Sequence, residues 1–180
     1  MNKGVGLANG SIVGILNADD RFADEQVLQD VSQVFQDPDV AACYGDLEYV
    51  SADPGSRVIR RWISGDFAQK RFLNGWMPPH PTLFVRKSVY EKYGLFREDL
   101  GTSADYEFML RLFVKNRLEA HYIPRVLVRM RAGGASNHSL AARWRANRND
   151  ALAWKANELK PKPWTLLAKP LRKLPQWWLR

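Results

Sequence analysis

Two adjacent carboxylates, Asp19 and Asp20, follow the short apolar run 11–16, in which we expect a strand buried on both faces. Ligands of open α/β sheets bind in the crevice beyond the carboxyl ends of the strands. Mg²⁺ and Mn²⁺ suit such a place, because they take one or two protein carboxylates and complete their shell with water and phosphate oxygens. The pair therefore suits a metal ion that holds a diphosphate. A loop that caps the next helix explains the same two residues at least as well.

Asp105 is a further carboxylate with a chemically useful position. Thr102 or Ser103 is the expected N-cap of a helix over residues 104–116, which places Asp105 in its first turn. The helix dipole keeps such a carboxylate ionised, and a general base must be ionised. Simple complementation of the dipole is the alternative, and it is common.

Two loops carry other polar candidates. His80 lies between prolines in the loop 76–81, where a fixed imidazole could contact a sugar or a phosphate, although a lone loop histidine more often only packs. The loop 131–137 contains Gly133, Gly134 and Ser136 beside basic residues, and its N–H groups could close over an anionic ligand. A flexible connector would have the same composition.

Strand and helix patterns alternate along the chain and indicate an α/β fold. Strands are predicted at 11–16, 40–50, 57–63, 82–86 and 121–130, the second and third paired around a turn cluster at 52–55. Helices are predicted at 2–8, 25–36, 66–73, 87–93, 104–116 and 139–158.

Two of these elements carry specific expectations for their side chains. The apolar face of helix 25–36 is predicted to consist of Val27, Leu28, Val31, Val34 and Phe35. The exposed side of the paired strands is predicted to carry Arg57, Arg60 and Arg61.

Composition favours one globular core in a reducing compartment. The 180 residues are 46% hydrophobic, which is enough for a core. Cys43 is the only cysteine, so the chain contains no internal disulfide. No run approaches the roughly 20 apolar residues that span a bilayer, and the N-terminus lacks the apolar core of a signal peptide. A cytoplasmic location is the expectation.

The net charge of +8 is concentrated in the last quarter of the chain. Residues 1–137 hold 17 basic and 17 acidic side chains, whereas residues 138–180 hold 10 basic and 2 acidic ones, together with five of the seven tryptophans. Within this tail, an apolar stripe is predicted beside Lys169 and Arg172, interrupted by prolines. Contact with an anionic membrane surface is expected, and packing against the domain is the alternative. The stripe consists of Trp164, Leu167, Leu171, Leu174 and Trp178.

Three groups of residues resemble one known family, in order and spacing over residues 1 to about 140. They are Asn2-Lys-Gly with Ile15-Leu-Asn-Ala-Asp-Asp20, His80-Pro-Thr82 with Val85-Arg-Lys-Ser-Val-Tyr-Glu-Lys-Tyr-Gly-Leu-Phe96, and Ala104-Asp-Tyr-Glu-Phe108. The chain thereby resembles family 2 glycosyltransferases of the GT-A fold, in particular those of bacterial surface polysaccharides. The resemblance implies a Rossmann-like, three-layer α/β/α fold, of which residues 1–137 form the metal and acceptor side and residues 138–180 a tail.

The resemblance also implies roles for individual residues. Asn17, Asp19 and Asp20 look like the motif that holds the donor diphosphate, with Asp19 and Asp20 as ligands of Mg²⁺ or Mn²⁺. Asn17 stands where many members have aspartate. Asp105 looks like the base of an inverting, single-displacement transfer. His80 and Glu107 belong to the motifs on the acceptor side.

Family members begin with a strand, a nucleotide-contacting loop and a strand–helix unit that this chain does not contain. We therefore expect either an upstream start, with Met1 as an internal methionine, or a truncation that binds the donor weakly or not at all and leaves an apolar sheet edge uncovered. A non-catalytic fragment that acts as a membrane-associated binding module is the alternative function.

The expected partners follow from this resemblance and from the tail. They are a UDP- or GDP-linked sugar donor, a saccharide or lipid-linked acceptor, and an anionic membrane surface at the inner face of the membrane. Nucleic acid is not expected, because the chain has no recognised motif and its basic residues are mixed with bulky apolar ones.

Overall fold

A mixed β-sheet forms the centre of the molecule. The computed structural model describes residues 1–51, 57–132 and 140–172, with the side chains of 140–146 left out. Within these ranges the sheet has six strands in the order β1-β5-β3-β6-β2, and β4 also pairs with β3. The strands are β1 (Ile12–Gly14), β2 (Arg21–Phe22), β3 (Ala42–Val50), β4 (Val58–Trp62), β5 (Phe84–Arg86) and β6 (His121–Arg131).

The strand directions bring three carboxyl ends to one edge of the sheet. β3 and β6 are parallel, from Cys43 opposite His121 to Val50 opposite Arg131. β1 and β3 are both antiparallel to β5, so β1 runs in the same direction as β3 and β6. The segment that follows β1 therefore leaves the sheet at the edge where β3 and β6 end.

Helices cover both faces of the sheet. They are α1 (Asn2–Leu7), α2 (Val27–Val34), α3 (Lys87–Tyr93), α4 (Ala104–Met109), which continues as a π-helical segment (Leu110–Lys115), α5 (Leu140–Ala156) and α6 (Thr165–Leu171). Among the described residues, 3₁₀ helices lie at Gln69–Asn74, His80–Thr82 and Glu98–Ser103. In the part of the chain described, no helix is long and apolar enough to cross a bilayer.

Two hydrophobic cores lie on opposite sides of the sheet, because successive side chains of a strand point to opposite faces. On β3, Cys43 packs with Val27 and Val31 of α2. Its neighbour Tyr44 packs in the second core, which includes Phe108 of α4. This arrangement confirms the predicted three-layer α/β/α fold.

The edge position of β1 contradicts part of the sequence prediction. The strand covers only Ile12–Gly14, and of its residues only Val13 is buried. Leu16 after it is exposed, and so is Leu28 on α2, which was expected on the buried face. Both leucines line an open apolar groove of about 290 Å³ beside Phe22. The prediction of a strand buried on both faces was wrong because, among the described residues, β1 pairs with β5 alone and lies at one edge of the sheet.

The predicted pairing of residues 40–50 with 57–63 is confirmed by β3 and β4, with Leu47 opposite Trp62. The turn cluster at 52–55 lies outside the described residues. Arg57 and Arg61 are exposed as expected, but Arg60 is buried. Its guanidinium carbon lies 3.8 Å from the centre of the Tyr49 ring, a cation–π contact that explains its burial.

The tail helices pack against the body of the domain. Trp154 of α5 is fully buried, and its indole N–H donates to the Tyr106 hydroxyl at 3.0 Å. The Asp150 carboxylate accepts hydrogen bonds from Ser103 Oγ (2.9 Å) and Lys169 Nζ (2.7 Å). Ser103 is the N-cap of α4, as predicted, but its hydroxyl donates to α5 instead of capping a helix N–H. The predicted boundary at 137/138 falls in a range outside the description.

Gly75 lies where α6 approaches the 3₁₀ helix Gln69–Asn74. Its φ angle is +74°, and a Cβ atom there would lie 2.4 Å from the backbone nitrogen of Lys169. A side chain at this position would therefore be strained and would also push α6 away.

We expect Gly75→Ala to lower the free energy of unfolding by about 2 kcal/mol or more, from the left-handed backbone and the backbone clash together. Urea denaturation, monitored by circular dichroism, measures this change in the free energy of unfolding. Gly6→Ala is the matched control, because α1 has open space there and alanine should stabilise it by about 0.5–1 kcal/mol. Equal stability of the two variants would contradict the docking of α6 at Gly75.

Candidate functional site

The segment Asn17–Asp20 lies at the edge where the parallel strands end. The Asp20 carboxylate is buried and accepts two hydrogen bonds. The Asn17 side-chain amide donates to Oδ2 at 2.9 Å, and the Arg131 backbone N–H donates to Oδ1 at 3.3 Å. These bonds tie the segment after β1 to the carboxyl end of β6, so the acidic pair occupies the crevice position that the sequence predicted.

Asp19 differs from Asp20 in its surroundings. It is exposed, and among the described residues no hydrogen bond or ion pair holds its carboxylate. The same ranges contain no cluster of three or more His, Cys, Asp or Glu side chains that could enclose a metal ion. Mg²⁺ and Mn²⁺ do not need such a cage, because water and phosphate oxygens supply the remaining ligands. The exposed carboxylate of Asp19 beside the carboxylate of Asp20, which already accepts two hydrogen bonds, fits that mode of binding.

His80 and Asp105, which lie 25 positions apart in the sequence, are neighbours in the structure. His80 Nδ1 lies 3.3 Å from Asp105 Oδ2, and both side chains are partly exposed. The 3₁₀ helix His80–Thr82 brings the imidazole to the first turn of α4, where Asp105 lies. Ile15, two residues before Asn17, lines the same small cleft. The cleft therefore joins two of the predicted site residues and adjoins the segment that carries the acidic pair.

Glu107 lies away from this cleft, although it is only two positions from Asp105. Residues at i and i+2 point to opposite sides of a helix. Glu107 is 1% exposed, and its carboxylate pairs with Arg111 at 3.0 Å and accepts from the Asn157 amide at 3.1 Å. The structure thus brings His80 and Asp105 together and places Glu107 in the interior, between α4 and α5.

Arg111 is a structural centre that the sequence analysis missed. Besides Glu107, its guanidinium donates to the carbonyl oxygens of Tyr93 (2.8 Å) and Leu95 (2.7 Å). It therefore fixes the end of α3 to α4. The i, i+4 spacing of Glu107 and Arg111 was the available signal, but it is typical of surface pairs as well.

A buried glutamate between two arginines also escaped the sequence analysis. Glu48 on β3 accepts from Arg61 Nε at 2.9 Å and from Arg129 Nε at 3.1 Å, and both arginines are partly exposed. One carboxylate thus faces two guanidinium groups near the carboxyl end of the parallel strands. The register of the β3–β4 hairpin could have indicated Glu48–Arg61, but Arg129 follows only from the parallel pairing with β6.

Tyr49 lies beside this group. Burial raises the pKa of its phenol, and the Arg60 guanidinium opposes the shift. The Tyr49 hydroxyl is therefore neutral at physiological pH. The predicted anion-binding loop 131–137 cannot be placed in this neighbourhood, since residues 133–139 lie outside the description.

Comparison with solved structures places this geometry in a known fold. The chain is similar to S. aureus TarS, a wall teichoic acid glycosyltransferase, with a TM-score of 0.57 and 14% sequence identity. The match covers 96% of this chain and 30% of TarS. The chain has a partial, Rossmann-like glycosyltransferase fold. At this identity the likeness shows the fold alone.

Sequence comparisons add nothing to this result: no protein-family model matches the chain, and no curated protein does. The chain spans about a third of the length of the solved protein it resembles.

The placements of Asp105 and Glu107 predict different effects on stability. Glu107→Gln should cost about 3 kcal/mol of unfolding free energy, because Arg111 would lose its buried counter-ion. Asp105→Asn should change it by less than about 1 kcal/mol, since its pair with His80 is partly exposed. Thermal and urea denaturation of the two variants make the comparison. A larger loss for Asp105→Asn would mean that Asp105, not Glu107, supports the fold.

Proposed function

We propose that this chain is the metal and acceptor side of a glycosyltransferase of cell-surface polysaccharide synthesis, related to family 2. It would transfer a sugar from a UDP- or GDP-linked donor to a saccharide or lipid-linked acceptor. The observation that carries the proposal is the His80–Asp105 pair in a cleft beside the segment of Asp19 and Asp20. The glycosyltransferase fold supports it.

Asp19 and Asp20 have different parts in this proposal. Asp19, whose carboxylate is exposed, would hold Mg²⁺ or Mn²⁺ together with the donor diphosphate. Asp20 holds the segment in place through Asn17 and Arg131, and a carboxylate with two hydrogen bonds keeps lone pairs for a further ligand. When bound, the metal ion would stabilise the negative charge that develops on the departing diphosphate.

Arg61 and Arg129 add positive charge at the same edge. Because Glu48 neutralises only one of their two charges, the group keeps a net positive charge. Guanidinium groups bind phosphate oxygens well, with several N–H donors in a fixed geometry. Their location near the carboxyl ends of β3 and β6 supports a role in attracting the diphosphate of the donor.

Asp105 is the proposed general base. It takes the proton from the acceptor hydroxyl while that oxygen forms a bond with the anomeric carbon and the bond to the diphosphate breaks. This single displacement inverts the anomeric configuration. His80 Nδ1 lies 3.3 Å from Asp105 Oδ2, and this contact would orient the carboxylate and leave its other oxygen for the acceptor.

We propose that the reaction takes place in the cytoplasm. The only cysteine, Cys43, is buried, and burial raises the pKa of its thiol to about 12. The chain thus relies on no disulfide, in keeping with a reducing compartment.

Calorimetric titration of UDP and GDP, with and without Mn²⁺, tests the donor site. Metal-dependent binding of one nucleotide is expected, and Asp19→Asn should weaken it by about tenfold or more, because one of two carboxylate ligands loses its charge. Asp39→Asn, an exposed carboxylate after α2, is the matched control. Absence of binding to either nucleotide would overturn the donor site proposed for this chain at Asp19 and Asp20.

Asp105→Asn tests the base separately. We expect loss of transfer by about 10²–10⁴-fold, the contribution of general base catalysis, with Mn²⁺-dependent nucleotide binding unchanged. Transfer is measured as nucleotide release from a panel of UDP- and GDP-sugars with polysaccharide acceptors. Nucleotide binding is measured by calorimetry. If the variant loses binding and transfer equally, Asp105 belongs to the donor site and is not the base.

A further inference from the structure

We propose that α6 binds an anionic lipid bilayer through the side chains of Trp164, Leu167 and Leu171, here called the α6 stripe. This inference concerns where the chain works, and it does not rest on the proposed transfer of a sugar. It starts from the orientation of α6 on the body of the domain.

α6 turns Thr165 and Lys169, together with Leu166, toward the domain and exposes its most apolar side. Thr165 is fully buried and donates its hydroxyl to the Leu73 carbonyl oxygen. Lys169, four positions further, lies on the same face and pairs with Asp150 at 2.7 Å. The α6 stripe points the opposite way, and its three side chains are 51%, 64% and 61% exposed. Helices on the surface of soluble domains show the reverse arrangement.

The exposed residues form one continuous strip. At 100° per residue, positions 164, 167 and 171 fall within about 60° of one another around the helix axis. Trp164 is fixed at the start of the strip, since its indole N–H donates to Asn74 Oδ1 at 3.2 Å. The fold therefore fixes the position of the α6 stripe, which does not depend on the rotamers of single side chains.

The charge around the strip selects an anionic partner. Residues 159–172 contain four basic side chains and no acidic one. Lys160, Lys162 and Arg172 are exposed, and the Lys162 ammonium lies 5.1 Å from the centre of the Trp164 ring. Tryptophan beside lysine is typical of the boundary between lipid headgroups and acyl chains, and anionic headgroups attract the cations.

The size of the strip favours a bilayer over a folded protein. Two turns of helix span roughly 10 Å. Three side chains over that length present far less than the about 800 Å² that each partner contributes to a stable protein interface. A bilayer requires only a few inserted apolar side chains together with basic residues, because lipid adapts to the surface it meets.

Co-sedimentation of the full chain with lipid vesicles tests the proposal. We use vesicles of phosphatidylcholine alone and vesicles with 30 mol% phosphatidylglycerol, each at low and high salt. Binding to the anionic vesicles only, weakened by salt, is expected. The double variant Leu167→Ser/Leu171→Ser should bind the anionic vesicles at least about tenfold more weakly than the original chain, because binding scales with the inserted apolar area.

Two further variants complete the design. Leu7→Ser is the matched control, a 69% exposed leucine on α1 that should leave binding unchanged. Lys162→Gln should weaken binding by roughly fivefold, the contribution of one cation at such a surface. Thermal denaturation should show that all these exposed substitutions leave the fold intact.

The proposal is overturned by any of three results. The double variant could bind anionic vesicles as well as the original chain, which would assign the contact to other residues. Neutral and anionic vesicles could bind equally, which would remove the electrostatic argument. Without lipid, the double variant could change the oligomeric state in size-exclusion chromatography, which would make the α6 stripe a protein interface.

Discussion

The parallel pairing of β3 with β6 is the interaction on which the candidate site depends. It extends from Cys43 to Val50 and places the end of β6, at Arg131, beside the end of β3. The Arg131 N–H at this edge holds Asp20, and Arg129 two residues earlier meets Glu48. Without the parallel register, the acidic segment after β1 and the arginines would have no common location. The site is thus a consequence of strand direction before it is a matter of side-chain chemistry.

Asp105 and Glu107 lie two positions apart on α4 but have different surroundings. Asp105 faces the cleft with His80, whereas Glu107 is enclosed with Arg111 and Asn157. The enclosed network fixes the helix to its neighbours, because Arg111 also donates hydrogen bonds to the carbonyl oxygens of Tyr93, at the end of α3, and Leu95. A stable position of Asp105 therefore depends on a carboxylate that never reaches the cleft. This is the usual relation between a candidate catalytic group, such as the one proposed at Asp105, and the packed residues that orient it.

Local patterns in the sequence predicted the helices and strands. They did not predict the burial and the contacts that depend on long-range pairing of strands. The helix 87–93 was predicted at its observed bounds, and the strands at 40–50 and 57–63 pair as expected, since both depend on neighbouring residues. The burial of Arg60 and the exposure of Leu28 depend on which strand lies next to β3 and on the open edge at β1. His80 and Asp105 were each named from their loop and helix positions, but their contact across 25 residues could not be derived from spacing. Strand order and helix rotation are properties of the assembled fold, and no single segment encodes them.

One buried ion pair accounts for the unusual orientation of α6. Asp150 is buried on α5, and a buried carboxylate without a cation would be strongly destabilising. Lys169 supplies that cation, and its ammonium also lies 3.6 Å from the centre of the Tyr106 ring. Leu167 and Leu171 are each two positions from Lys169, so that a helix turned to bury the lysine must turn both leucines outward. The sequence predicted the stripe but left open whether it packs on the domain or faces outward. Because the buried Asp150 needs a counter-ion, Lys169 faces the domain, and the apolar side of α6 is exposed as a consequence.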